Sequence, residues 1–117
     1  MIKLNRDTLP SFGPTVTRPT YDRDRLRVGI VHFGVGNFHR VHQGIAIEAC
    51  LHHPDHEEWG ICGVGLMDGP AAREKAEAYR RQDNLYTVTE LASQTPHETQ
   101  IVGAMIEYLH APGAPEA

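Results

Sequence analysis

Apolar and polar positions along the chain alternate between short strand-like runs and longer helix-like segments. Strand patterns cover four runs, residues 27–33, 59–66, 85–91 and 99–109. Helical spacing covers two segments, residues 37–52 and 71–81. A turn at residues 93–97 joins the last two strands as a hairpin, and Asp68-Gly69-Pro70 is a start signal for the second helix. The order β-α-β-α-β-β predicts an α/β fold with a mostly parallel sheet and an added β-hairpin.

The first 26 residues have a different pattern. Pro10, Gly13, Pro14 and Pro19 interrupt a stretch rich in threonine and charged residues. Such punctuation disfavours regular elements. We therefore expect residues 1–26 to form an extended arm across a folded body that spans residues 27–117.

The composition is typical of a soluble globular protein, with 40% hydrophobic and 22% charged residues. No apolar run approaches the roughly 18 residues of a membrane span, and the first residues lack the apolar core of a signal peptide. A net charge of -4 argues against a general nucleic-acid binder, which needs clustered Lys and Arg. Cys50 and Cys62, both expected to be buried, make no disulfide framework and favour a reducing compartment. These features predict a cytoplasmic protein with a small-molecule partner.

A glycine turn follows the first strand, within the sequence VGIVHFGVGNFHRVHQG of residues 28–44. Ligands of parallel sheets bind beyond the carboxyl ends of the strands, where this turn lies. Gly34 permits a tight turn, and Gly36, after Val35, lets the backbone approach a pyrophosphate. Asn37 is expected to cap the next helix, whose first amides carry partial positive charge. The pattern favours dinucleotide binding, and an ordinary glycine turn is the alternative.

The residues after the turn allow more than one role. His39 stands where a dinucleotide fold has its third glycine, so it should hold the helix farther from the strand or point its imidazole outward. Arg40 offers a forked contact to phosphate, with a surface salt bridge as the alternative. Phe38 either lies beside the adenine or ribose of a cofactor or makes a core contact. Trp59, at the start of a strand, is expected in the core.

Asp68 decides the expected cofactor. An acid after the second strand hydrogen-bonds the adenosine ribose and repels a 2′-phosphate, which favours NAD. Asp68 is farther along the chain from Gly36 than the usual spacing of about 20 residues. The alternatives are that Asp68 only caps the next helix, and that Arg73 binds the 2′-phosphate of NADP.

Three stretches together resemble a known family. They are GVGNFHRVH at residues 34–42, WGICGVG at 59–65 and QDNLYT at 82–87. They resemble the long-chain polyol dehydrogenases, the family of mannitol 2-dehydrogenases and hexuronate reductases, over essentially the whole chain. The resemblance implies that residues 27–117 are the N-terminal part of an NAD-binding Rossmann domain. It also implies zinc-independent hydride exchange between a nicotinamide cofactor and a polyol or ketose, such as D-mannitol and D-fructose.

The cofactor contacts expected from the turn and the acid are Gly34, Val35, Gly36, Asn37, Phe38, His39, Arg40 and Asp68. The resemblance places the catalytic lysine, with its supporting Asn and His, in a later helical domain outside this chain. The two lysines present are Lys3 in the arm and Lys75 in a surface-type helix. Neither is expected to be desolvated enough to act as a general base, so no catalytic residue is assigned. The 117-residue chain alone is expected neither to bind cofactor tightly nor to be active.

Other function classes stay open. The chain could belong to a hexuronate reductase acting on fructuronate or tagaturonate, or be a nucleotide-binding module without catalysis. The histidine-rich loop at residues 52–56 could hold zinc, but a solvated loop is the simpler interpretation. His39 and His42 lie three residues apart without a carboxylate or thiolate beside them, so no metal site is assigned.

Overall fold

The computed structural model describes residues 3–91 and 98–112. Its six strands are β1 (Val16–Thr17), β2 (Val28–Phe33), β3 (Gly60–Gly65), β4 (Tyr86–Glu90), β5 (Glu98–Val102) and β6 (Met105–His110). Its three α-helices are α1 (Asn37–Val41), α2 (Gln43–Leu51) and α3 (Pro70–Arg81). Short 3₁₀ helices cover Leu9–Ser11, Arg23–Arg25 and Glu57–Trp59. None of the helices in these residues has the length and apolar character needed to span a membrane.

The strands form two sheets, and one of them is entirely parallel. Its order is β2-β3-β6, with β3 paired to both neighbours. Every residue of β3 is buried, as its continuous apolar and glycine sequence indicates. β2 lies at the edge, where the side chains of Val31 and Phe33 are exposed. The predicted α/β class with a mostly parallel sheet is confirmed.

The second sheet contains the predicted hairpin and also a strand from the arm. Its order is β1-β5-β4, with β4 and β5 antiparallel. β1 pairs in parallel with β5, so the arm adds a short edge strand rather than only an extended segment. The predicted turn at 93–97 lies outside the described residues.

The expected single strand at 99–109 is wrong, because the chain divides there into β5 and β6. Gly103 and Ala104 separate the two strands, and β6 crosses to the parallel sheet beside β3. A Cβ on Gly103 would meet the Pro19, Tyr21 and Arg23 side chains at 2.9 to 3.1 Å, so the arm passes directly over this bend. The bend is fully buried, and no polar residue marks it in the sequence.

The helix predicted over 37–52 is interrupted at His42, which ends α1 and precedes α2. Gly44 explains part of the close packing here, because a Cβ there would lie 2.1 Å from the Tyr86 hydroxyl. The second predicted helix is confirmed as α3. Its N-cap is Gly69, with φ of +112°, followed by Pro70.

Two predictions about burial are wrong and one is confirmed. Cys62 is buried in β3, but Cys50 is exposed on α2. Trp59 is 44% exposed at the end of a 3₁₀ helix, so it is not a core residue.

A cluster of polar contacts fixes the arm to the body, and we call its members Tyr21, Arg23, Glu48 and Gly103 the arm clasp. Glu48 is fully buried, and its Oε1 accepts hydrogen bonds from the Tyr21 hydroxyl at 2.5 Å and the Gly103 amide at 2.9 Å. The Arg23 guanidinium donates to three backbone carbonyls at 3.0 Å, those of Gly103, Asp83 and Met105. The clasp therefore joins the arm, α2 and the bend between β5 and β6.

Candidate functional site: the crevice beside the glycine turn

The turn between β2 and α1 begins at a glycine whose conformation requires that residue. Gly34 has φ of +82°, a region that L side chains rarely adopt. Its amide donates to the Val64 carbonyl at 2.8 Å, which anchors the turn to β3. Gly36 has an ordinary φ of -120° and caps α1. The expected cap, Asn37, is instead the first helical residue, and α1 has no side-chain cap.

The amides after Gly34 are left open. Among the described residues, none accepts a hydrogen bond from the amides of Val35 to His39. A Cβ built at Gly36 meets no atom within 4 Å, so space lies in front of this backbone. Unpaired N–H groups at the start of a helix, beside open space, favour an anionic ligand.

A crevice of about 460 Å³ lies in front of the turn. It is bounded by the turn, by the chain that follows β3, by the first turns of α3 and by β6. The lining residues are Gly34, Val35, Gly36, Gly65, Leu66, Met67, Ala71, Ala72, Lys75 and Tyr108. Because it opens at the carboxyl ends of β2 and β3, it occupies the position where parallel sheets bind ligands.

His39 does not face this crevice. Its imidazole is buried, stacks on His32 with ring centroids 3.8 Å apart, and contacts the Gln43 side chain through Nε2 at 2.6 Å. The expectation of an outward imidazole is therefore wrong, because β2 supplies a ring against which it packs. Burial lowers the pKa of His39, and the neighbouring His32 lowers it further, although Gln43 opposes both. The Nδ1 atom is buried without a hydrogen-bond partner in the described structure.

The other residues of the turn region lie beside the crevice rather than in it. Phe38 is 77% exposed and contacts the His42 ring at 4.2 Å between centroids, so the core alternative for Phe38 is not observed. The Arg40 guanidinium lies over the Tyr86 ring, 4.6 Å from its centroid. Arg40 and Asn37 line a second cavity of about 300 Å³, between α1 and α3.

Asp68 follows the crevice residues Leu66 and Met67 but does not line the crevice. It is exposed, and its Oδ1 accepts from the Gly69 amide at 2.8 Å and from Arg73 at 3.2 Å. The carboxylate thus stabilises the start of α3 in this structure. A ribose could also reach it, because two-thirds of its side chain is exposed.

Lys75 was not expected at the site, yet it lines both the crevice and the second cavity. Its Nζ donates a hydrogen bond to the Val35 carbonyl within the glycine turn. Burial lowers the pKa of Lys75, and the positive charge of Arg40 lowers it further. The sequence signal for this position is its place four residues before the buried Tyr79, on the same face of α3.

In the part of the chain that the structure describes, no three His, Cys, Asp or Glu side chains come close enough to hold a metal ion. The fold, the open amides and the crevice together define a protein of the nucleotide-binding α/β class.

Comparison with known proteins identifies the family. The family model described as mannitol dehydrogenase Rossmann domain matches residues 28–116, so the chain belongs to the mannitol dehydrogenase family. The polyol:NADP oxidoreductase of Gluconobacter oxydans is 44% identical over 97% of the chain, and the D-mannonate oxidoreductase of Escherichia coli is 43% identical over 88%. The chain spans only 23% and 21% of these two relatives.

A solved structure agrees with this assignment. The mannitol 2-dehydrogenase of Pseudomonas fluorescens, in a ternary complex with NAD and D-mannitol, superposes with a TM-score of 0.91 at 34% identity. The match covers 98% of this chain and 23% of that protein.

Proposed function

We propose that this chain is the N-terminal, NAD-binding part of a polyol dehydrogenase that exchanges a hydride between NAD and a polyol or ketose, such as D-mannitol and D-fructose. Residues 1–26 serve as the arm, and residues 27–117 form the first part of the dinucleotide-binding domain. The single observation that carries the proposal is the row of unpaired amides after Gly34, facing open space beside the crevice.

The residues of the turn fit a dinucleotide. The amides of Val35, Gly36 and Asn37 would hold the diphosphate, because each is an N–H donor without a protein partner in the described residues. Gly34 gives the turn its shape. Phe38 would lie beside the diphosphate. His39 would support α1 through its stacking on His32, and Arg40 would supply positive charge. The nicotinamide, when bound, supplies the hydride chemistry.

Asp68 supports NAD rather than NADP. A 2′-phosphate about 4 Å from a carboxylate would meet a repulsion of about 4 kcal/mol per pair of unit charges at an effective dielectric of 20. Arg73 lies 3.2 Å from Asp68 and reduces this repulsion, so the preference depends on which of the two faces the ribose. The name of the Gluconobacter relative, a polyol:NADP oxidoreductase, makes the measurement of this preference informative.

The chemical step is proposed to need residues beyond those described. Neither of the two lysines is assigned as the general base. Lys3 lies exposed in the arm, and the ammonium of Lys75 donates to the Val35 carbonyl. The unpaired backbone edge of β2 favours a further strand beside it, and the exposed apolar side chains of Val31 and Phe33, on one face of β2, favour an element that covers this face. We propose that a longer protein supplies that strand, the catalytic base and most of the substrate contacts. The two unpaired cysteines favour action in the cytoplasm.

The test is an NMR titration of the ¹⁵N-labelled chain with NAD and with NADP. The expected result is that the amide signals of residues 34–37 shift most, with the larger affinity for NAD, while those of β4 stay in place. Turnover of mannitol by the chain alone is not expected. Shifts confined to other residues, or none at millimolar NAD, would contradict the proposal.

Gly36→Ala separates a binding surface from an ordinary glycine turn. The new methyl meets no atom within 4 Å and φ is ordinary, but Gly36 caps α1 and alanine is a poorer N-cap, so the free energy of unfolding should fall by about 1 kcal/mol or less. The methyl would nonetheless occupy the space of the diphosphate, and NAD affinity should fall about tenfold or more. Gly13→Ala is the matched control, because its methyl also meets no atom within 4 Å but lies in the arm. If Gly36→Ala and Gly13→Ala bind NAD with equal affinity, the segment is an ordinary glycine turn and not a binding surface.

The substrate class distinguishes the remaining candidates. The E. coli relative is named a D-mannonate oxidoreductase, so a hexuronate or hexonate substrate is a specific second candidate. A turnover assay of a longer protein carrying this chain, with mannitol, fructose, fructuronate and tagaturonate, decides between them. NAD binding without turnover of any of these would favour a non-catalytic nucleotide-binding module.

A further inference from the structure

Lys75 has no assigned role so far, and the role argued below rests on the proposed binding of a dinucleotide. Lys75 is the residue that lines both the 460 Å³ crevice and the 300 Å³ cavity between α1 and α3, among the cavities described for residues 3–91 and 98–112. It reaches across from α3 to the glycine turn, where its Nζ donates to the Val35 carbonyl. The side chain therefore connects the helix after β3 to the turn after β2.

This contact determines the direction of a neighbouring amide. In a trans peptide the carbonyl of one residue and the N–H of the next point in opposite directions. All peptide bonds of the described chain are trans. By holding the Val35 carbonyl, Lys75 thus fixes the direction of the Gly36 N–H, one of the unpaired donors of the turn.

The charges around Lys75 are unbalanced. The Arg40 guanidinium lines the same cavity, and its Nε is buried without a hydrogen-bond partner in the described structure. No carboxylate of the described residues lies within 4.0 Å of either cationic group. Two neighbouring cations that are partly buried repel each other and favour an anion between or beside them.

We propose that Lys75 is a positioning residue of the dinucleotide site: it holds the Val35 carbonyl so that the Gly36 N–H, on the opposite side of that peptide bond, faces the diphosphate, and its charge, with that of Arg40, attracts the diphosphate across the turn. The ligand chemistry that this predicts is a diphosphate-bearing nucleotide. Adenosine alone, which has no phosphate, gains nothing from the ammonium.

The test measures the affinities of ADP-ribose and adenosine for the full chain and for three variants by NMR titration. Lys75→Met keeps the stem and removes the charge, and Lys75→Arg restores a charge. Arg81→Met removes a cation from an exposed position of the same helix and serves as the matched control. We expect Lys75→Met to weaken ADP-ribose binding about tenfold or more, with less than a twofold change for adenosine. Lys75→Arg should recover part of the loss, and Arg81→Met should change either affinity less than twofold.

A measurement on the unaltered chain covers the case in which Lys75→Met does not fold. The chain has two lysines, so the side-chain Cε signal of Lys75 is observed beside that of Lys3, which acts as an internal reference. Binding of ADP-ribose should raise the pKa of Lys75, a change that a merely structural lysine would not show.

The outcomes separate this inference from the proposed function. If the unaltered chain binds ADP-ribose and Lys75→Met binds it equally, or if the Lys75 titration does not move, the inference is overturned and the proposed function stands. If Lys75→Met loses ADP-ribose and adenosine in equal proportion, Lys75 is only a structural brace. If the unaltered chain binds neither ligand, the proposed function and the inference both fail.

Discussion

The arm clasp and the glycine turn differ in how far their polar groups are hydrogen-bonded. In the clasp, Glu48 and Arg23 are buried to a large extent, and five hydrogen bonds connect them to the arm and to the backbone. The Glu48 Oε2 makes no hydrogen bond in the described structure, but it lies 3.4 Å from the His52 Nε2. At the turn, the amides of residues 35–39, the Nδ1 of His39 and the Nε of Arg40 have no partner in the described structure.

The difference shows which region stabilises the fold and which is prepared for a ligand. A buried polar group that lacks a partner costs free energy, so the buried Nδ1 of His39 and Nε of Arg40 are retained only where something else compensates. The amides of residues 36–38 belong to exposed residues and stay open to solvent or to a ligand. Mutations in the clasp should therefore lower stability, whereas mutations at the turn should change binding or titration more than stability.

The largest effect is expected for Glu48→Ala. Removing the carboxylate leaves the Tyr21 hydroxyl and the Gly103 amide without an acceptor in a fully buried place, and it leaves a cavity. The free energy of unfolding should fall by about 3 to 4 kcal/mol in urea denaturation. Glu74→Ala, at an exposed position of α3, is the control and should change it by less than about 0.5 kcal/mol.

Glu48→Gln refines this expectation through its pH dependence. Burial raises the pKa of Glu48 above 4.5, although its hydrogen bonds and the nearby His52 and Arg23 oppose the change. A carboxyl whose pKa is raised in the folded state binds its proton more tightly there, so its contribution to stability is lost as the pH rises from 4.5 through the folded pKa. Relative to wild type, Glu48→Gln should gain stability over that window. A constant difference between the two proteins would show that the pKa of Glu48 is the same in the folded and unfolded states.

A smaller loss is expected for Arg23→Met. The guanidinium donates to the carbonyls of Gly103, Asp83 and Met105, and methionine keeps the stem but none of the donors. We expect a loss of about 2 kcal/mol in the free energy of unfolding. Arg25→Met is the control, because Arg25 is exposed and its nearest carboxylate, that of Glu57, is 3.7 Å away. Equal losses in the two variants would place the role of Arg23 in surface charge rather than in the clasp.

The sequence predicts the parts of the fold that depend on local pattern. β2, β3 and α3 were predicted because continuous apolar runs and a start signal are properties of neighbouring residues. The division of 99–109 was missed because apolar residues continue through Gly103, and only the arm above that glycine explains the bend. The break at His42 was missed for a related reason, since Gly44 packs against Tyr86, which lies far along the chain.

At the candidate site, too, local pattern was predicted and tertiary contacts were missed. The glycine turn and its open amides were predicted from a motif of adjacent residues. His39 was expected either to hold the helix farther from the strand or to point outward. Its stacking on His32 was not predicted, because His32 belongs to the preceding strand and the stacking is a tertiary contact. Lys75 was interpreted as a surface residue, because the alternating charges of α3 conceal the one lysine that faces the turn. Contacts between elements, rather than within them, account for the errors at His39 and Lys75.

The smallest effect is expected at His39, where the comparison between the two regions is tested by pH alone. The buried Nδ1 has no acceptor in the described residues, so protonation of the ring would place an N–H where nothing receives it, beside the stacked ring of His32. The folded-state pKa of His39 lies below 6.5, so the unfolded chain takes up the proton first. Stability is therefore complete above pH 6.5 and falls as the pH drops from 6.5 through the folded pKa.

The loss at pH 5.5 cannot exceed about 1.4 kcal/mol, because pH 5.5 lies one unit below 6.5 and one pH unit corresponds to about 1.4 kcal/mol per proton. His39→Gln should reduce this slope, and His53→Gln, on an exposed loop, should leave it unchanged. Imidazole signals followed by NMR report the same quantity directly, with the pKa of His39 below 6.5. A His39 pKa at or above 6.5 would mean that the charged imidazole finds an acceptor in the turn region, and the contrast with the arm clasp would disappear.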